Sequence, residues 1–328
     1  MKAGNREVAQ QLLESEEPSI RLRVHEEVLR DRFDQERLRG EVRRSPRVRS
    51  LLENVVIDPV YRKWRGAHWV IADLADLGYP AGSTELKPLV DQVVDRWLGP
   101  QFFRDDVVSS KASRRTNGVP VISGRHRRCG SQQGNALRAM LKLGLADERA
   151  HQLAERLIHW QWPDGGWNCD RAPAADTSSF METIHPMRAL AAYSQWAGDS
   201  TAREASLCAA EVFLERKLFL RCGDGKPIKS DFLRLHYPLY WHYDVLGGLT
   251  AMKELVLLAD PRCELALDLL ESKRLDDGGW PAAAKWYSKS AGSSAGESSV
   301  DWGGVDRKRM NPWVTVDALA VLRAAGLV

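Results

Sequence analysis

No stretch of 18 apolar residues occurs in this 328-residue chain, so no membrane-spanning helix is expected. A dominant charge is also missing. Its 47 basic residues face 44 acidic ones, a net +3, which removes the usual reason to invoke nucleic acid as a partner. Cysteine is scarce. The five are odd in number, widely spaced and without a CxxC pair, and they read as free thiols in a reducing compartment. The opening residues Met1-Lys2-Ala3-Gly4-Asn5-Arg6 lack the apolar core of a signal peptide. Thiols and N-terminus together predict a cytoplasmic protein. Sustained period-two alternation is absent as well, so a sheet is not expected.

What the chain does contain is a repeat. Gln161-Trp162-Pro163-Asp164-Gly165-Gly166-Trp167 is echoed by Asp276-Asp277-Gly278-Gly279-Trp280, each copy after an apolar, helix-like segment. Gly accepts positive φ and a short acidic side chain caps a turn, so both copies predict helix-ending turns. The alanines at 154, 210 and 266 open similar segments 56 residues apart each time, and 91–98 is a weaker fourth copy. Between them run segments rich in Ala, Gly and Leu, at 67–74, 134–141, 185–192, 244–252 and 315–322. Helices apolar nearly all round are buried on both sides, whereas the more charged class faces solvent. Alternation of the two predicts an all-α protein, either a closed α/α toroid or an open superhelix.

The element Leu157-Ile158-His159-Trp160-Gln161 followed by Gly165-Gly166-Trp167 resembles the QW repeat of squalene and oxidosqualene cyclases. Protein prenyltransferase β subunits share that toroid. The resemblance covers roughly residues 60–328. The second copy departs from it, with Lys273 taken as the counterpart of Gln161. It implies a single (α/α) toroid and an apolar, isoprenoid-like small-molecule substrate in a central aromatic-lined pocket. The chemistry implied is that of a lyase, isomerase or transferase. Two family signatures are missing: the DxDD acid of protonating cyclases and the Asp-x-Cys zinc ligands of prenyltransferases.

Residues 1–58 read as an amphipathic helical extension, with Pro18-Ser19 and Ser45-Pro46 as helix starts, and 59–328 as the toroid domain. The extension is expected to cap or flank the helical array. Arginines interleaved with acids weaken a peripheral membrane contact without excluding it. Residues 281–311 form a long small-residue loop, read either as a solvated linker or as a lid. Its basic end makes Arg309 a candidate to meet an anion.

Candidate chemistry sits where the buried helices begin. The densest cluster surrounds His242 and Asp244, expected to act in proton transfer, with Tyr240, Trp241 and Tyr243 beside them as a binding wall. Trp69 and Trp313, at the starts of the first and last buried helices, join the substrate-binding set. Glu182 and His185, three apart on one helical face, form a second acid–base pair, with the regular helix expected to begin at Pro186. Asp170 either contacts ligand or caps a turn. A zinc-dependent alternative draws on Cys129, His242 and Asp244, because zinc accepts Cys, His and carboxylate ligands with one position open. A non-catalytic binding scaffold is the third reading.

Overall fold

The computed structural model describes residues 3–108, 117–290 and 292–327. Helix dominates. Thirteen α-helices occur among these residues: α1 (Ala3–Leu13), α2 (Pro18–Arg23), α3 (Gln35–Arg43), α4 (Pro46–Glu53), α5 (Ala67–Leu77), α6 (Lys87–Trp97), α7 (Gly130–Lys142), α8 (Arg149–His159), α9 (Phe180–Ala197), α10 (Ser200–Leu214), α11 (Val245–Glu254), α12 (Glu264–Glu271) and α13 (Pro312–Ala324). No described helix is long and apolar enough to cross a membrane. The chain forms two compact units, one from Met1–Pro80 with Leu214–Val328 and the other from Ala81–Phe213.

The two helix classes read from the sequence recur in both units. In the first, every residue of α5 except Asp76 is buried, and α13 buries 313–316 and 318–322. In the second, α7 buries 133–140 and α9 buries 183–191. By contrast α6 hides only Val90, Val93, Val94 and Trp97, and α12 only Ala266, Leu267 and Leu270. Those spacings mark one apolar stripe per helix.

Both Gly-Gly-Trp copies make the same clasp. The Trp167 indole N–H donates to the Leu157 carbonyl at 2.9 Å, and that of Trp280 to the Leu270 carbonyl at 2.8 Å. Each tryptophan therefore folds back on the helix it follows, α8 or α12. Its backbone N–H reaches forward to a threonine hydroxyl in the first turn of the next buried helix, Thr183 of α9 at 3.1 Å and Thr315 of α13 at 3.0 Å. Its carbonyl accepts from Ser179 N at 2.9 Å or from Asn311 N at 2.8 Å. Gly165 and Gly278 turn the chain at φ +93° and +82°, where a side chain would be strained.

The counterpart of Gln161 is Arg274, not Lys273. Gln161 Nε2 donates to the Gly165 carbonyl at 2.6 Å, and the Arg274 guanidinium donates to the Gly278 carbonyl at 2.9 Å. Arg274 also lies over the Trp280 ring, 4.1 Å from its centroid. A guanidinium reaches the carbonyl that the amide reaches and adds a cation–π contact.

Two sequence expectations are revised, and a third segment gains a description. A small sheet exists, with β1 (Asp105–Val107) parallel to β2 (Val119–Ile122) and β2 antiparallel to β3 (Arg125–His126). Strands of two to four residues are too short to show alternation. Helix α9 begins at Phe180, not at Pro186, which sits inside it. The ring is accommodated because Gly134 of α7 faces it: a Cβ there would lie 2.5 Å from the Pro186 nitrogen. Finally, the 281–311 loop is anchored. Trp64 Nε1 donates to the carbonyls of Trp286 (2.7 Å) and Ala295 (2.6 Å), Ser50 Oγ to that of Ser299 (3.0 Å), and Arg47 to that of Asp301. Ala291 of this loop lies outside the described residues. The N-terminal helices pack within the first unit, where Arg23 pairs with Glu27 and Asp317, and Glu27 with Lys253.

Gly166 is the tightest point of the first clasp, since a Cβ would lie 2.6 Å from both Ser178 Cβ and Thr183 Oγ1. Gly166→Ala is expected to cost about 1–3 kcal/mol by overpacking. Gly223→Ala, with nothing within 4 Å, is expected to cost under about 0.5 kcal/mol. Urea unfolding checks the pair, and equal losses would show the clasp to be slack.

Candidate functional sites

The first unit holds an aromatic cluster centred on the segment 236–244. Trp64 and Tyr240 stack with centroids 3.9 Å apart and planes 9° apart, and the Trp69 edge meets both rings. Tyr237 stacks on Trp313 at 4.9 Å. The His242 imidazole lies between Trp241 (4.2 Å, 21°) and Trp286 (4.4 Å, 12°). Trp69, Tyr240, Trp241 and Trp313 are thus brought into one cluster.

Tyr243 is not a wall residue. It is buried and donates its hydroxyl to the Leu218 carbonyl at 2.7 Å. Arg309 is exposed, and its backbone N–H donates to Asp306 at 3.2 Å, within a turn.

The expected partnership of His242 with Asp244 is not made. Asp244 is fully enclosed and pairs with His236, Nδ1 to Oδ2 2.8 Å. The same carboxylate accepts the His236 N–H at 2.8 Å and caps α11 through Gly247 N at 2.8 Å. Residues two apart at the start of a helix point in different directions, so the loop that folds over the cap supplies the partner instead. Burial opposes charge on His236, but the carboxylate outweighs it and raises the imidazole above its ordinary range. His242 shifts the other way. Burial, then repulsion from His236 and Lys63, lowers it from 6.5 to about 3, so the ring is neutral at physiological pH.

Asp73 was missed in the sequence. It is buried one turn after Trp69 on α5, and its charge would act on Tyr237 and Tyr240. Burial, then the neighbouring Asp76, hold its carboxyl well above the usual range. A lone acid inside the apolar run 67–77 was the available signal. Asp73 Oδ2, Trp69 Nε1 and His242 Nδ1 are all buried without a hydrogen-bond partner among the described residues. Buried polar atoms left unpaired are costly, and three of them lie in or beside one aromatic cluster.

The second unit holds a different constellation. Cys129, the residue before α7, converges with Cys169, two residues past Trp167, and with Glu182 in the first turn of α9; their ligand atoms lie within 4.8 Å of one another. Cys129 therefore belongs with these two, and the sequence-based set joining it to His242 and Asp244 is replaced. Cys169 Sγ is 3.4 Å from Glu182 Oε1, while Glu182 Oε2 accepts from Ser131 N (3.2 Å) and Oγ (2.8 Å). The contact with Cys129, burial and the Glu182 charge push the Cys169 thiol far up. Burial also raises Glu182, against the Ser131 hydrogen bonds. His185 is buried in the second turn of α9 and lies outside this set. Asp170 is exposed and caps a turn, accepting from Ala172 N at 2.8 Å. A third, outward-facing trio is Asp105, His126 and His159, with both imidazoles 3.1–3.2 Å from one carboxylate oxygen.

No protein-family model matches the chain, and no curated protein matches its sequence.

His242 carries a pH signature. Its value is 6.5 in an unfolded chain and about 3 when folded, so the unfolded state binds the extra proton across that window. Stability contributed by the neutral ring is present above pH 6.5 and is lost as pH falls toward 3. His242→Gln is therefore expected to lose less stability than the wild type between neutral and acid pH. Urea unfolding at a series of pH values measures this, and parallel curves would contradict the assignment.

Proposed function

We propose that the chain is an enzyme of terpene-cyclase and prenyltransferase kinship, a cytoplasmic α/α toroid. It acts by acid–base chemistry on an apolar, isoprenoid-like molecule held against the aromatic cluster of the first unit. One observation carries this reading: Asp73, Trp69 and His242 present unpaired buried polar atoms among stacked tryptophans and tyrosines. Aromatic faces stabilise a developing carbocation through their quadrupoles.

The ionisable groups are held in opposed states, which is how acid and base roles are divided at one pH. Asp73, whose carboxyl burial raises, is the proton donor to an alkene or leaving group. Neutral His242, sandwiched between two indoles, is the acceptor. The His236–Asp244 pair positions the loop that carries Tyr237, Tyr240 and Trp241. Asp73 would stand in for the absent DxDD acid. The resemblance of the Gly-Gly-Trp turns to the QW repeat supplies the substrate class.

The test is incubation with acyclic polyprenes and polyprenyl diphosphates, with products read by mass spectrometry. Asp73→Asn is expected to lower turnover by about 10²–10⁴-fold, the usual worth of a positioned acid, with unchanged circular dichroism. Asp224→Asn, at an exposed turn, is expected to match the wild type. Full turnover in Asp73→Asn, or no product from any polyprenoid, overturns the reading.

A further inference from the structure

We infer that Cys129, Cys169 and Glu182 form a binding site for a thiophilic divalent cation of the zinc type, with one coordination position left open. The inference stands apart from the aromatic cluster and does not depend on the function proposed for it.

Three different elements supply the donors. Cys129 precedes α7, Cys169 follows the first clasp, and Glu182 lies in the first turn of α9. Their ligand atoms fall within 4.8 Å of one another, the span of one coordination sphere. Ser131 holds Glu182 Oε2 through both its N–H and its hydroxyl, which leaves Oε1 turned toward Cys169. A carboxylate pinned at one oxygen is oriented as a single-oxygen ligand, and such outer partners are what fix ligand geometry in metal sites.

The surrounding frame is rigid. Gly130 admits the Trp167 ring, with a Cβ position only 3.0 Å from it, and Gly134 admits Pro186. The Arg127 guanidinium holds the loop after Cys169 by donating to the carbonyls of Asp170 (3.1 Å) and Ala175 (2.7 Å).

The second clasp provides an internal comparison. Two residues after Trp280 stands Ala282, and immediately before Thr315 stands Val314. Those positions correspond to Cys169 and Glu182. The clasp therefore closes with an alanine and a valine there, and the thiol and carboxylate of the first copy serve something other than the turn.

Two sulfurs and one carboxylate oxygen suit Zn²⁺ and disfavour Mg²⁺ and Ca²⁺, which take oxygen ligands. Structural zinc sites close with four protein ligands, whereas three with an open position characterise catalytic ones. The donor set also differs from the Asp-x-Cys and distant His of prenyltransferases.

Full-length protein made in zinc-supplemented medium and purified without chelator is the material for the test, with metal counted by plasma mass spectrometry. About one zinc per chain is expected, falling below about a tenth in Cys129→Ser and Cys169→Ser, and binding about tenfold weaker in Ser131→Ala. His159→Ala, in the outward-facing trio, is expected to keep its zinc. Cobalt(II) added to metal-free wild type is expected to give a thiolate charge-transfer band and intense tetrahedral visible bands. That readout is independent of whether the cysteine variants fold. The inference is overturned by a metal-free wild type that gives no such bands, or by metal that survives both cysteine changes and leaves with His159→Ala.

Discussion

The tryptophan clasp is the constraint on which the rest hangs. In each copy one residue closes three connections: its indole to the end of the preceding helix, its N–H to a threonine of the next, and its carbonyl to the N–H of the residue that caps that next helix. A buried indole is a donor that needs a partner, and the Leu157 carbonyl near the end of α8 supplies one; the Leu270 carbonyl of α12 does the same while also accepting from Lys273 N at 3.1 Å.

Ionisable side chains then occupy positions the clasp does not use. Around Trp167 these carry Cys169 and Glu182, around Trp280 Ala282 and Val314. The same economy holds at α11. Asp244 is the helix cap, and its second oxygen fixes His236 and so the whole aromatic loop from 236 to 244. Local backbone needs put these carboxylates and turns in place, and the unpaired atoms of Asp73, Trp69 and His242 are buried as well.

Much of the architecture was legible because it repeats. The alternation of Ala- and Leu-rich segments with one-stripe segments follows from helical periodicity, and it recurs in α5, α7, α9, α11 and α13 against α6, α8 and α12. The start of α9 was misplaced because a proline within a helix is tolerated only when a neighbour makes room, and Gly134 belongs to another helix. The small sheet escaped notice because its strands are shorter than any periodicity.

By itself the sequence determined the helix classes, the Gly-Gly-Trp turns and the concentration of aromatic and ionisable residues where buried helices begin, because these depend on neighbours within about ten positions. Only the tertiary structure decided which side chains meet. His236 rather than His242 takes Asp244, Arg274 rather than Lys273 takes the place of Gln161, and Cys129 joins Cys169 and Glu182 across 40 or more residues. Directions of side chains at helix starts depend on the path of the loop before them, and that path is set by distant packing.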